Sequence, residues 1–234
     1  MKSFRFKQFD ILQSSDVFRV GTDAVLLGVL SDVMGAKQIL EVGTGTGIIS
    51  LMLAQRNPDA NILAIDINSE AVNISQTNFL NSPFSDRIKS QLQDFKQFET
   101  GEKFDLIISN PPYFEINSSD KDILARQRLE LDFSDLIQKA SQLLSDEGLF
   151  SVVIPIDSEK QFTQICLNNN LFLKRKVIIK GIETAEPKRV VLEYSFQQSG
   201  TKKENFVIEK SPRVYSDEYL ELTKDFHIFN KKAL

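Results

Sequence analysis

The sequence predicts an α/β protein built on a doubly wound, mostly parallel sheet with helices on both faces. Three observations lead there. Short runs rich in branched apolar residues recur at 38–42, 61–67, 104–109 and 149–154, and 88–92 reads as a further strand between them. Segments long enough for helices of about a dozen residues separate most of them, which is the rhythm of βα units. Two chemically distinctive stretches fall where strands end: Glu41-Val42-Gly43-Thr44-Gly45-Thr46-Gly47 and Asn110-Pro111-Pro112-Tyr113. In open α/β sheets, ligands bind outside that carboxyl edge.

The elements follow in order. Residues 4–9 alternate aromatic and polar side chains, which puts Phe4 and Phe6 on one face and Arg5 and Lys7 on the other, as in a short strand or hairpin arm. Residues 20–28 form a loop feeding a helix, with Thr22 as the expected N-cap and Asp23 at the positive end of the helix dipole. Residues 38–42 make a buried strand, and the glycine loop after it opens a helix over 48–55. A second strand, 61–67, carries Asp66 at its end and is followed by a helix over 69–79. The third strand, 88–92, leads to Asp94 and Phe95. The fourth, 104–109, is stopped by two prolines, which lack the N–H that a ladder needs. A helix near 132–144 precedes the fifth strand. Residues 172–180 and 190–196 are then expected to form an antiparallel pair closing one edge, with a further edge strand at 205–210 and a last helix over 216–229.

Composition bounds the function. The 234 residues suit one domain over 1–234, with 1–20 as the amino-terminal arm and 200–234 as an edge strand and helix. Hydrophobic residues make up 41% and charged residues 26%, which excludes a disordered chain. No apolar run is long enough to span a bilayer, and the first residues lack an apolar signal core, so a cytoplasmic protein is expected, without membrane partners and as a monomer. A single cysteine, Cys166, excludes an internal disulfide and a cysteine-rich zinc site, and no metal is expected. The single histidine, His227, lies on an apolar segment and is expected to be structural. A net charge of -4 argues against loose, sequence-independent nucleic-acid binding but leaves room for local basic patches, with Arg5, Lys7, Lys188 and Arg189 as candidates.

The glycine spacing is G-x-G-x-G with Glu41 before it, not the G-x-G-x-x-G of a dinucleotide site. An acid beside the loop suits an ammonium group better than a pyrophosphate, and S-adenosylmethionine carries an ammonium and no phosphate. Gly43, Gly45 and Gly47 let backbone approach the ligand closely. Asp66, about twenty residues on, is placed for ribose hydroxyls. Asp94 is placed to accept from an adenine amino group or to cap the strand end, with Phe95 as an apolar wall. Thr22 and Asp23 either cap their helix or face the ligand.

The glycine loop, Asp66 and Asn110-Pro111-Pro112-Tyr113 together resemble the class I S-adenosylmethionine-dependent methyltransferases that act on exocyclic or amide nitrogens. The resemblance implies a Rossmann-like fold with a seven-stranded, mostly parallel sheet and an antiparallel edge pair. It implies that Asn110 and the Pro111 carbonyl accept hydrogen bonds from the target NH2 while Tyr113 stacks on its planar group. The tetrapeptide alone serves glutamine side chains, guanine or adenine. The wider pattern, including residues 6–9, 20–28 and 215–226, resembles the bacterial family that methylates N6 of adenine 37 in valine tRNA, with tRNA as the partner. The counterpart of a polar signature beyond the tetrapeptide is Arg126-Gln127-Arg128; Arg126 and Arg128 either contact the tRNA backbone or pair with Glu130 or Asp132. The rivals are a protein glutamine methyltransferase, an rRNA guanine-N2 methyltransferase and a non-catalytic nucleotide-binding module.

Overall fold

A computed structural model describes residues 2–14, 17, 20–111 and 132–228. The chain runs β1 (Lys2–Arg5), β2 (Asp10–Gln13), α1 (Thr22–Leu30), β3 (Gln38–Val42), α2 (Ile48–Arg56), β4 (Asn61–Asp66), α3 (Ser69–Leu80), β5 (Ile88–Leu92) and β6 (Phe104–Ser109). It continues with α4 (Phe133–Leu143), β7 (Leu144–Pro155), α5 (Glu159–Asn168), β8 (Phe172–Ile182), β9 (Arg189–Ser195), β10 (Lys202–Ser211), β11 (Val214–Tyr215) and α6 (Asp217–Thr223). The order across the sheet is β11-β10-β8-β9-β7-β6-β3-β4-β5. From β5 to β7 every pairing is parallel, and β9 is antiparallel to both its neighbours.

Period two along the strands sorts their side chains into two layers. Ile39, Ile62, Leu106, Ile108, Val153 and Val191 belong to the core shared with α1, α2 and α3. Leu40, Val42, Ile65, Ile107, Val152, Ile154 and Leu192 belong to the core shared with α4 and α5. Both faces are covered, which is why apolar residues stand at consecutive positions along these strands, as at Leu106, Ile107 and Ile108, instead of only at alternate ones. A side chain such as Ile107, at 0% exposure, contributes about 1.5–3 kcal/mol through burial alone.

The sheet has nine strands, two more than the seven expected. β10 pairs in parallel along β8, from Lys202↔Arg175 to Glu209↔Ile182, and β11 folds back on β10. The antiparallel pair is therefore interior, and β10 covers the backbone edge that β8 would otherwise present to water.

Two local expectations are corrected. Thr22 is not the cap of α1: Gly21 occupies that place in an extended conformation without a side-chain cap bond, and Thr22 is the first helical residue. The last helix is shorter than 216–229. Ser216 caps it by accepting from the Tyr219 amide at 3.0 Å, but it stops at Thr223, and the chain crosses to the amino-terminal hairpin. There the Lys7 amide donates to the Phe226 carbonyl at 2.8 Å, and Phe6 forms an isolated antiparallel bridge with His227.

This junction gives His227 the structural role expected of it. Its ring stacks on Phe6 with centroids 5.4 Å apart and on Tyr219 at 6.1 Å, and Tyr219 stacks in turn on Tyr215 at 4.6 Å. Burial lowers the His227 pKa and keeps the ring neutral within the stack. Cys166 is likewise buried at 0% exposure, and burial raises its pKa, so it is an inert thiol.

Candidate active site

Parallel pairing brings four strand ends together at one edge. Val42 stands opposite both Ile65 and Ser109, and Asp66 stands opposite Leu92. The glycine loop, Asp66, Asp94 and Asn110 therefore line successive strand ends, roughly 4.8 Å apart per strand.

The loop is held in one shape by backbone bonds. The Gly43 and Thr44 amides donate to the Ile65 carbonyl at 2.9 and 3.0 Å, and the Gly47 amide donates to the Thr44 carbonyl at 2.8 Å. Gly43, Gly45 and Gly47 all have positive φ, of 78°, 53° and 82°. At Gly47 a side chain is excluded by space as well, since a Cβ would lie 2.4 Å from the Phe79 ring. The loop thus reaches the start of α2 packed directly against α3.

Glu41 lies beneath this loop at 0% exposure. Its Oε2 accepts from the Thr44 hydroxyl at 2.9 Å, from the Ser50 amide at 3.1 Å and from the Ser50 hydroxyl. Its Oε1 is buried with no hydrogen-bond partner among the described residues. Burial pushes the Glu41 pKa up to about 7, Asp66 adds to the rise, and the bonds from Ser50 and Thr44 oppose it. A buried carboxylate oxygen without a partner is costly, and a cationic ligand group is what would relieve it.

Asp66 accepts from the Gly45 amide at 2.9 Å and from the Asn68 amide at 2.9 Å, one oxygen to each, so the second lone pairs remain for ligand hydroxyls. Asp94 caps the short 3₁₀ turn Phe95–Gln97, accepting from the Lys96 amide at 2.9 Å. Phe95 departs from its expected place: at 4% exposure it packs into the α4 and α5 core, under the turn, and does not form an open wall. Two apolar side chains are exposed at this edge, Ile67 at 59% immediately after Asp66 and Leu92 at 55% opposite it at the end of β5. Sequence reasoning passed over Ile67 as the tail of a strand; an isoleucine directly following Asp66, the acid expected to face a ribose, was the available signal.

Asn110 follows β6 half-buried, and Pro111 is buried. The Ser109 hydroxyl donates to the Val42 carbonyl at 2.9 Å, which ties the end of β6 to the residue that begins the glycine loop. Pro112, Tyr113, Arg126 and Arg128 lie outside the described residues.

Asp23 and Arg189, expected to serve cofactor and RNA separately, are paired with each other at 2.8 Å. Thr22 is exposed at the start of α1, and Lys188 is exposed beside Arg189. Arg5 makes a solvent-facing pair with Asp10 at 3.4 Å, and the Lys7 ammonium donates to the Lys224 carbonyl. These basic groups therefore occupy two separate places, the hairpin junction and the start of β9. One positioning residue was invisible in the sequence: buried Asn78 accepts from the Leu12 amide at 2.9 Å and donates to the Thr46 carbonyl at 2.8 Å. It links the hairpin to the glycine loop across 66 and 32 residues, and no local pattern marks such a bond. Among the described residues no group of three or more His, Cys, Asp or Glu could hold a metal ion, and no helix is long and apolar enough to cross a membrane.

Residues 8–180 match the family model of the methyltransferase small domain. A tRNA1(Val) (adenine(37)-N6)-methyltransferase of Flavobacteriaceae bacterium (strain 3519-10) is 53% identical over 230 residues, covering 98% of this chain and 100% of that protein. Among solved structures, a predicted O-methyltransferase from Agrobacterium tumefaciens superposes with a TM-score of 0.67 at 18% identity, covering 87% of this chain and 96% of its own. The N-methyltransferase NodS from Bradyrhizobium japonicum, solved in complex with S-adenosyl-L-homocysteine, superposes with a TM-score of 0.52 at 19% identity, covering 74% and 83%.

Proposed function

Because the chain belongs to the methyltransferase small domain family, and within it to the tRNA1(Val) (adenine(37)-N6)-methyltransferases, we propose that it transfers a methyl group from S-adenosylmethionine to N6 of adenine 37 in valine tRNA. It acts as one domain over residues 1–234, a monomer of the cytoplasm. The relatives' names favour adenine in tRNA over a glutamine side chain or guanine.

The observation that carries the reading is the register Val42↔Ser109, which sets the glycine loop and Asn110 on neighbouring strand ends above a buried carboxylate without a full set of partners. The cofactor supplies an electrophilic methyl group on a sulfonium. Glu41 Oε1 would accept from the ligand's ammonium, Asp66 from its ribose hydroxyls, and Asp94 from its adenine amino group while still capping its turn. Ile67 would offer the ligand an apolar surface.

The target nitrogen is a poor nucleophile because its lone pair is delocalised into the base. Asn110 Oδ1 and the Pro111 carbonyl accept its two N–H bonds, which favours a pyramidal nitrogen with the lone pair directed at the methyl group. The resemblance assigns Tyr113 to stacking on the base once it leaves its own stack. Orientation supplies much of the rate. The methylated nitrogen is acidic, so its extra proton passes to water and no strong base is needed.

Replacing Asn110 by Ala should lower kcat on a valine tRNA transcript by about 10²–10³-fold, as for loss of one fixed polar contact at a reacting group. Calorimetric affinity for S-adenosylmethionine should stay unchanged. Full turnover by Asn110→Ala would overturn the mechanism.

A further inference from the structure

Asn78 sits on α3 at 1% exposure, and its side-chain amide meets two parts of the backbone that are far apart in sequence. Its Oδ1 accepts from the Leu12 amide at 2.9 Å, and its Nδ2 donates to the Leu12 carbonyl at 3.2 Å and to the Thr46 carbonyl at 2.8 Å. The two bonds to Leu12, on β2 of the hairpin, are reciprocal. They fix which way the amide faces and hold its remaining N–H on the glycine loop.

From Thr46 the connection continues to the ligand edge. Thr46 is buried between Gly45 and Gly47, both at positive φ, where the backbone has few steric limits and its shape depends on the bonds it makes. The Gly45 amide donates to Asp66 Oδ2, on the acid proposed to hold the ribose. The hairpin thus reaches Asp66 through Asn78, Thr46 and Gly45, and each link is a hydrogen bond or a single peptide. α3 forms the bed of this path: Ser75 and Phe79 fill the space beside Gly47, and Asn78 adds the directional bond. A second contact runs alongside. Leu12 packs with Val17, Ala71 and Ile74, and Val17, at 7% exposure, lies 3.9 Å from where a Cβ on Gly45 would stand.

We propose that Asn78 is a positioning residue for the cofactor, and that through it hairpin docking and cofactor binding form one coupled equilibrium. The proposal rests on the methyltransferase reading and adds to it a control on cofactor affinity exerted from the amino-terminal arm. With the hairpin docked, the Asn78 amide is held at the Thr46 carbonyl. With the hairpin undocked, the amide is free to turn, and a buried carbonyl loses its fixed donor. A ligand on the loop favours the first state. Linkage then makes the two effects equal: docking tightens the cofactor by the same factor as the cofactor tightens docking.

Hydrogen exchange and calorimetry on the full chain test this. The Leu12 amide reports the hairpin's bond to α3, and the Lys7 amide reports its bond to the Phe226 carbonyl, away from the loop. In the native protein, saturating S-adenosylmethionine should slow exchange at both by about tenfold, the scale of one buried hydrogen bond, and leave the amides between β10 and β11 at the far edge of the sheet unchanged. Asn78→Ala should weaken S-adenosylmethionine by about the same factor in calorimetry and raise its KM equally, while kcat at saturating cofactor falls less than about twofold. In that variant the cofactor should no longer slow exchange at Lys7; a purely structural role would shift the Lys7 baseline and leave the cofactor's effect in place. The proposal is overturned if cofactor slows Leu12 and Lys7 in the native protein no more than the β10–β11 amides, a result that needs no variant to fold, or if Asn78→Ala keeps native affinity. If the native protein binds no S-adenosylmethionine, the cofactor reading itself fails, which is a different result.

Discussion

Glu193 and Glu41 are both buried on strands of one sheet, at 3% and 0% exposure, yet their surroundings differ in kind. Glu193 accepts from the Asp32 amide at 2.7 Å and faces the Arg175 guanidinium at 3.6 Å. Arg175 also donates to the Leu30 carbonyl, and Arg56 donates to Gly28 and Ser31, so two cations satisfy the carboxyl end of α1. Glu41 has hydroxyl and amide donors on one oxygen, no cation, and an orphan oxygen on the other. The first region is complete in the free protein. The second leaves a buried oxygen without a partner among the described residues, and under the proposed function a ligand's ammonium would complete it.

The largest effect is expected at the complete region. Arg175→Ala should destabilise the protein by about 3 kcal/mol or more in urea denaturation, because Glu193 would remain buried without its cation. S-adenosylmethionine affinity in the surviving folded fraction should be unchanged. A loss below about 1 kcal/mol would show that the pair resembles an ordinary surface contact and would dissolve the contrast.

Glu41→Gln should do the opposite. Thermal stability without cofactor should equal or exceed that of the native protein, since a costly buried acid is removed. Cofactor affinity should fall by about 10–100-fold, the scale of a hydrogen bond to a charged group. Lost stability with intact affinity would mean that Glu41 is a structural carboxylate like Glu193.

The smallest effect is a pH dependence. Glu41 is raised from 4.5 to about 7 in the folded protein. Between those values the folded state binds more protons than the unfolded state, so this group's contribution makes cofactor-free stability fall as pH rises through that window, then level off. Cofactor binding favours the ionised form. Affinity should therefore weaken below pH 7, by up to about tenfold per pH unit, and level off above it. Titration calorimetry of native protein and Glu41→Gln checks this, and the slope should vanish in the variant.

Much of this contrast was legible in residue order and some was not. The glycine loop, its acid and the later Asp66 are local patterns, and the strand that ends at Asn110 is announced by apolar residues and two prolines. The arginines of the Glu193 region could not be assigned, because Arg175 meets Leu30 across 145 residues and every such partner is set by tertiary packing. The same holds for Asp23 with Arg189, 166 residues apart, which each looked like a ligand contact when considered alone. β10 was visible as an edge strand, but its parallel pairing with β8 was not, since alternation reports which face is buried and not which neighbour is chosen. Thr22 looked like a cap because capping residues are recognised by type, while the preceding glycine took the extended backbone that the position requires.

The junction between the two ends of the chain has a consequence for how the molecule is made. Lys7 and Phe6 meet Lys224, Phe226 and His227, contacts that span 217 residues in the case of the lysine pair. During synthesis the hairpin emerges before its partners, so it cannot dock until residues 224–227 have also been made. Through Asn78 the hairpin also braces the glycine loop. A nascent chain stalled short of residues 224–227 would hold most of the sheet while the hairpin that meets Asn78 lacked its other anchorage.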